Sequence, residues 1–291
     1  MPTGDTQATE TDSPAPLRRL FVLGGGNMGG AIVRGAIRAK VLPPNRVVVI
    51  EPDEGKRAAL AALGLEGFRG VEAIAADVDP TLLLAVKPQM LPAIVAELTE
   101  ARVRAGCVIS VMAGVDLASL ERLFATSRVV RTMPNLPAMV GQGCTAIAAG
   151  PGARPDDVAL AEDLFAAVGR VFRLDEPLMD AFTAVAGSGP AYLYYLAEAM
   201  HTAALQVGFE PDAARAIVRQ TLVGAASLLA ESSESFESLR SNVTSPGGTT
   251  EAAVAALDTE RVQALWARAV VAARDRGAAL AKAARGDGPR P

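Results

Sequence analysis

The sequence predicts an α/β protein: a mostly parallel sheet in the first part of the chain and an all-helical second part. Three observations carry this. Short, near-continuous apolar runs alternate with helical patterns from residue 17 to about 175, the reading expected of parallel strands covered on both faces. From residue 176 onward the strand-like runs stop and long helical segments follow. The chain is 50% hydrophobic but only 4% aromatic, so its core must rest on Ala, Val and Leu, which suits closely packed helices.

Residues 1–16 are rich in Thr, Pro, Ala and acidic side chains without periodicity, and read as a disordered extension. The first strand, Leu20-Phe21-Val22-Leu23, runs into Gly24-Gly25-Gly26-Asn27-Met28-Gly29 and then an apolar helix through Ile37. Strand, glycine turn, helix is the order a dinucleotide pyrophosphate needs, and it makes the domain Rossmann-type. Gly24 permits the tight turn, Gly26 lets the backbone approach the phosphates, and Gly29 lets helix and strand pack closely. A second strand, 46–50, ends at Glu51. A carboxylate there accepts from the ribose hydroxyls and repels a 2′-phosphate, which leans the cofactor to NADH. Lys56 and Arg57 lie close behind and are able to reach a phosphate, so NADPH stays open. Glu51-Pro52-Asp53 also reads as a polar turn capping the next helix, and both readings are compatible.

Further strands are expected at 81–86, 107–111, 128–131, 144–148 and 170–174. Three of them end in unusual loops: Val86-Lys87-Pro88-Gln89, Met112-Ala113-Gly114-Val115 and Met133-Pro134-Asn135-Leu136-Pro137. The prolines fix φ and stop the strands, while Gly114 leaves room for a flat ligand. Since an open α/β sheet binds ligands at its strand C-termini, the three loops beside a phosphate turn suggest a nicotinamide cradle. Helices are expected at 182–209, at 211–231 with Pro211 in its first turn, and at 250–284 with a break near Asp258; Gly286-Asp287-Gly288-Pro289 ends the last. The division that follows is an extension at 1–16, a dinucleotide domain at 17–175, a helical domain at 176–285 and a tail at 286–291.

Between two helical patterns lies Ser245-Pro246-Gly247-Gly248-Thr249-Thr250. A Gly-Gly turn before a helix exposes amides at the positive end of the helix dipole and so suits an anion, although such a turn is also an ordinary helix start. The net charge of −4 and the absence of a basic stripe argue against nucleic acid as a partner. Cys107, Cys144 and a single histidine do not make a typical structural zinc site, and no disulfide framework or metal is expected. No apolar run spans a bilayer and no signal core is visible, so no membrane partner and a cytoplasmic location are expected.

These motifs together resemble the pyrroline-5-carboxylate reductase family, from residue 20 to about 272. The resemblance rests on Gly24-Gly25-Gly26-Asn27-Met28, Ala85-Val86-Lys87-Pro88-Gln89, Val130-Arg131-Thr132-Met133-Pro134-Asn135, Gly187-Ser188-Gly189-Pro190-Ala191-Tyr192 and, most specifically, residues 243–258. Departures are small: Ala186 stands where serine is common and Gly29 where alanine often sits. The resemblance implies hydride transfer from NADH or NADPH to the C=N bond of 1-pyrroline-5-carboxylate, giving L-proline. It implies Thr250 as the hydroxyl near the imine nitrogen and Ser188 as a second catalytic candidate, which reads equally as a helix cap. Ser245, Gly247, Gly248, Thr249 and Thr250 would hold the substrate, with amides around Gly248 and Thr249 as donors to its carboxylate. Ala113 and Asn242 would face the nicotinamide, beside the cofactor residues Gly24, Gly26, Asn27, Met28, Gly29, Glu51, Val86, Lys87, Pro88, Gly114 and Asn135. A homodimer, or an assembly of dimers, is implied.

Other readings compete. Reduction of a ketone by a hydroxy-acid dehydrogenase needs a general acid. The single histidine, His201, sits mid-helix among apolar neighbours, and lysines occur only at 40, 56, 87 and 282, with none in the helix after Gly189. A reductase of a related cyclic imine, or a nonenzymatic nucleotide-binding regulator with the same fold, are the remaining alternatives.

Overall fold

The computed structural model describes residues 19–284. The expected extension at 1–16 and the tail at 286–291, with its glycine-rich stop, lie outside the described residues. The strands are β1 Leu20–Leu23, β2 Val47–Ile50, β3 Glu66–Phe68, β4 Thr81–Leu84, β5 Cys107–Ser110, β6 Val129–Met133, β7 Gly143–Ala149 and β8 Gly169–Arg173. They form one sheet in the order β3-β2-β1-β4-β5-β6-β7-β8. The pairs β1·β2, β1·β4, β2·β3, β4·β5, β5·β6 and β7·β8 are parallel.

The helices are α1 Asn27–Arg38, α2 Glu54–Ala61, α3 Leu91–Glu100, α4 Leu117–Phe124, α5 Pro155–Ala166, α6 Met179–Phe182, α7 Gly189–Gln206, α8 Pro211–Glu231, α9 Phe236–Asn242, α10 Thr249–Thr259 and α11 Val262–Ala284. The chain divides into two compact units. The first takes the described residues up to Met112 with Leu117–Thr132 and Ala149–Val168; the second takes Ala113–Asp116, Met133–Ala148 and the described residues from Gly169 on. The strand pair β7·β8 thus groups with the helices, although its sequence reads as a continuation of the sheet. A reason is its packing: Ala146 and Ala148 of β7 are buried against Met179, with Met133, Leu174 and Phe182 alongside.

The first unit is built as the apolar runs predict. Every residue of β1, β2, β4 and β5 is buried. Its register sets Leu23 beside both Ile50 and Leu84, and Leu84 beside Ser110, so the strand C-termini end level and their loops emerge at one edge. α1 buries Gly29, Gly30, Ala31, Ile32, Val33, Gly35 and Ala36, and a side chain at Gly35 would run into Val168. At the start of β6, Arg128 forks onto Asp157, with Nε to Oδ2 at 2.9 Å and Nη2 to Oδ1 at 2.6 Å. Its Nη1 donates to Asp79 at 3.0 Å. These carboxylates, Asp157 first, hold the guanidinium pKa above its ordinary value.

The sequence and the fold differ in four places. β3 is added, a short strand whose residues are all exposed and which therefore shows no apolar run. The segment expected as one helix from 182 is α6, a π-turn at Thr183–Gly187, and α7, in which Ser188 N donates to Thr183 O at 2.8 Å. α9 precedes the glycine turn. The last break falls at Glu260 and Arg261, where Arg261 takes φ +53° and its amide closes onto Asp258 O at 3.0 Å.

Candidate active site

The glycine turn is held by backbone geometry that excludes side chains. Gly24 has φ +105°, and a Cβ there would lie 2.6 Å from Ala85 O. Its amide donates to Ile50 O at 2.9 Å, which binds the turn to β2. A Cβ on Gly29 would collide with Gly24 O, so an alanine there would require the turn to shift. Gly26 is different: it is the N-cap of α1, and a Cβ there would meet nothing within 4 Å. The first amides of α1, at Asn27, Met28 and Gly29, meet no side-chain cap, and no acid occupies the first turn. An uncapped helix start of this kind suits an anion chemically.

Glu51 is buried at the end of β2. Its Oε2 accepts from Gly25 N at 2.8 Å and its Oε1 from Asp53 N at 3.1 Å, while Lys56 Nζ stands 3.8 Å from Oε1. Asp53 caps α2, its Oδ1 accepting from Lys56 N at 2.8 Å, as the capping reading of this loop expects. Arg57, which the sequence offers as a phosphate contact, donates from Nη1 to Glu51 O and Pro52 O, both at 2.7 Å, and so braces the loop.

Val86 is half-buried, with its Cγ1 2.9 Å from the position of a Gly24 Cβ; Lys87 is exposed, and Pro88 opens a 3₁₀ turn at Pro88–Met90. In the second unit, Ala113 is exposed and Gly114 takes φ +74° against Leu280 and Ala281 of α11. Asn135 is buried and both ends of its amide are engaged: Nδ2 donates to Ala186 O at 2.9 Å and Oδ1 accepts from Cys144 N at 2.9 Å. It therefore fixes the π-turn, whose displaced carbonyl it satisfies, to β7. Burial pushes the Cys144 thiol pKa up. Ser188 occupies the N-cap position of α7, but its side chain makes no capping hydrogen bond.

The second turn lies between α9 and α10. Gly247 has φ +71°, and Gly248 N donates to Ser245 O at 2.9 Å, closing the turn. The Gly248 amide, anticipated as a ligand donor, is therefore spent within the turn. Thr249 and Thr250 begin α10, whose first amides have no acceptor inside the helix. Asn242, at the end of α9, donates from Nδ2 to Glu234 Oε2 at 2.9 Å.

Sequence reasoning missed the loop brace of Arg57, the double engagement of Asn135, and Glu251, whose Oε2 accepts from Gly247 N at 2.7 Å. Only the last had a local signal, the four-residue spacing of Gly247 and Glu251. His201 lies within α7, with its Nε2 buried and without a hydrogen-bond partner. Among the described residues no cluster of His, Cys, Asp and Glu is placed to hold a metal.

Comparison with known proteins gives a consistent answer. The family model described as pyrroline-5-carboxylate reductase dimerisation matches residues 176–280, and one described as NADP oxidoreductase, coenzyme F420-dependent, matches residues 19–114. A pyrroline-5-carboxylate reductase of Synechocystis is 39% identical, over 91% of this chain and 98% of its own. The solved structure of a pyrroline-5-carboxylate reductase from Coxiella burnetii superposes with TM-score 0.82 at 34% identity, covering 90% of this chain and 98% of that one. A Plasmodium falciparum pyrroline carboxylate reductase, solved with NADP bound, gives TM-score 0.78 at 25% identity, over 91% and 98% of the two chains. With this likeness along nearly its whole described length, the chain belongs to the pyrroline-5-carboxylate reductase family.

Proposed function

We propose that this chain reduces 1-pyrroline-5-carboxylate to L-proline, the last step of proline biosynthesis, using NADH or NADPH. The observation that carries the reading is the pair of open helix N-termini, at α1 and α10, each following a glycine turn whose shape is fixed by internal bonds. One suits a dinucleotide pyrophosphate and the other a small carboxylate. The bound nicotinamide supplies a hydride to the imine carbon.

The chain's own residues bind and orient. Gly24, Gly26, Asn27, Met28 and Gly29 form the pyrophosphate cradle; Glu51 takes the ribose hydroxyls; Val86, Lys87, Pro88, Ala113, Gly114, Asn135 and Asn242 shape the nicotinamide side. Ser245, Gly247, Gly248, Thr249 and Thr250 form the substrate turn, with the amides of Thr249 and Thr250 left to meet the carboxylate. A protonated imine is already strongly electrophilic, so positioning it does most of the work. The Thr250 hydroxyl orients the ring nitrogen or relays its proton, and Ser188, uncommitted as a cap, is its partner in that role.

Residues 17–175 serve as the cofactor domain and residues 176–285 as the dimerisation and substrate domain. The enzyme works as a homodimer or an assembly of dimers, a reading supported by the matched dimerisation family model. Cys107 and Cys144 form no disulfide, which fits a reducing cytoplasm. Among the described residues no helix is long and apolar enough to cross a membrane.

The test is oxidation of NADH and of NADPH by purified protein with pyrroline-5-carboxylate, beside a 2-ketoacid and a six-membered cyclic imine. Fast oxidation with the five-membered imine alone is expected. Turnover confined to the larger ring would reassign the substrate, and cofactor binding without any turnover would favour a regulatory protein.

A further inference from the structure

We propose that Glu251 is a positioning residue for the substrate turn: its carboxylate, accepting the Gly247 amide at 2.7 Å, fixes the turn in the shape that leaves the first amides of α10 for the substrate's carboxylate. This rests on the reading of residues 245–250 as the carboxylate site.

The argument starts from the backbone. At φ +71°, Gly247 is in the left-handed region, and the hydrogen bond that closes the turn is made by the next amide, Gly248 N to Ser245 O. The Gly247 N–H needs another acceptor, or the turn stays free to rearrange. In a common capping box the third helical residue reaches back to the N-cap amide. Here the N-cap is Gly248, its amide is already used, and the third residue, Glu251, reaches one position further back. The carboxylate therefore bridges the helix to the apex of the turn. An ionised acceptor makes such a bond roughly twice as strong as a neutral one, and an acid in the first turn also suits the helix dipole.

With Gly247 and Gly248 committed, Thr249, Thr250 and Glu251 carry the amides that remain without an acceptor in the helix, since the first intrahelical bond is made by Ala252 N to Gly248 O. Glu251 keeps the foremost of these, the amides of Thr249 and Thr250, in place before substrate arrives, so binding costs less ordering. The same carboxylate would act oppositely if it were a resident rival for the amides: it would repel the anionic substrate and weaken its binding. The two roles give opposite signs on removal.

Full-length E251A and E251Q are compared with wild type for KM of the imine, KM of the nicotinamide cofactor, and kcat. E251A should raise the imine KM about tenfold, the loss of one charge-assisted hydrogen bond. It should leave kcat and the cofactor KM within about twofold. E251Q keeps an oxygen acceptor and should recover most of the loss. An imine KM unchanged or lowered in E251A would overturn the proposal, a lowered one pointing to competition. An E251Q as impaired as E251A would overturn it too, because the amide bond would then not be what matters. Absence of imine turnover in the wild type would instead remove the substrate assignment itself.

Discussion

The amide of Gly25 donates to Oε2 of Glu51 at 2.8 Å, so the carboxylate that ends β2 also holds the glycine turn that follows β1. One side chain thus shapes the glycine turn and is also the one proposed to take the adenosine ribose. Glu51→Ala should lower the preference for NADH over NADPH by about tenfold, measured as the ratio of kcat/KM values. It should also destabilise the unliganded protein by roughly 1–3 kcal/mol, because the Gly25 amide loses its acceptor. An unchanged cofactor ratio would assign the preference to the stretch beyond Ile50, where Lys56 and Arg57 lie.

Gly24 and Gly26 should separate folding from binding. Gly24→Ala forces a side chain into φ +105° and against Ala85 O, so both the melting temperature and the cofactor affinity should fall. Gly26→Ala meets no protein atom within 4 Å, so the unliganded protein should melt as wild type while dinucleotide affinity drops. Calorimetric titration with NADH and a thermal melt of each variant decide it. A Gly26→Ala protein that binds NADH normally would move the pyrophosphate elsewhere.

Thr250→Ala should cut kcat by about a hundredfold, in the range expected for loss of a positioned proton-transfer group. The cofactor dissociation constant should stay within about twofold, since the hydroxyl is assigned to the substrate. Steady-state kinetics at wild-type level would take Thr250 out of the mechanism.

Arg128→Ala should lower stability by about 3 kcal/mol, because it removes the cation from an almost fully buried Asp157. Arg128→Lys should recover little, as an ammonium does not reproduce the fork onto both carboxylate oxygens. Urea denaturation checks both, and an Arg128→Ala midpoint equal to wild type would show that Asp79 and Asp157 are satisfied without it.

What was legible in the sequence was what shows as a short local pattern. The glycine turn, the acidic end of β2 and the Gly-Gly turn before α10 each do so, although Ile50, Ala85 and Glu51 hold the first of these turns from far along the chain, and the buried strands announce themselves as apolar runs. β3 was hidden because Glu66-Gly67-Phe68 is exposed and has no pattern to detect. The π-turn was hidden because its displaced carbonyl, Ala186 O, is satisfied by Asn135, 51 positions earlier. Arg128, Asp79 and Asp157 likewise meet only after the strands have paired, and their sequence neighbours give no sign of it.

In the helical unit, α7, α9 and α10 bury no residue within the protomer, and Leu193, Tyr194, Tyr195 and Leu228 are each more than half exposed. In the proposed homodimer, burial of that apolar surface between chains would make dilution a form of denaturation. Melting temperature should climb with protein concentration, and an assay run at very low enzyme would report a population of separated chains as well as a rate. A destabilising change in these helices could then be rescued simply by making more of the protein.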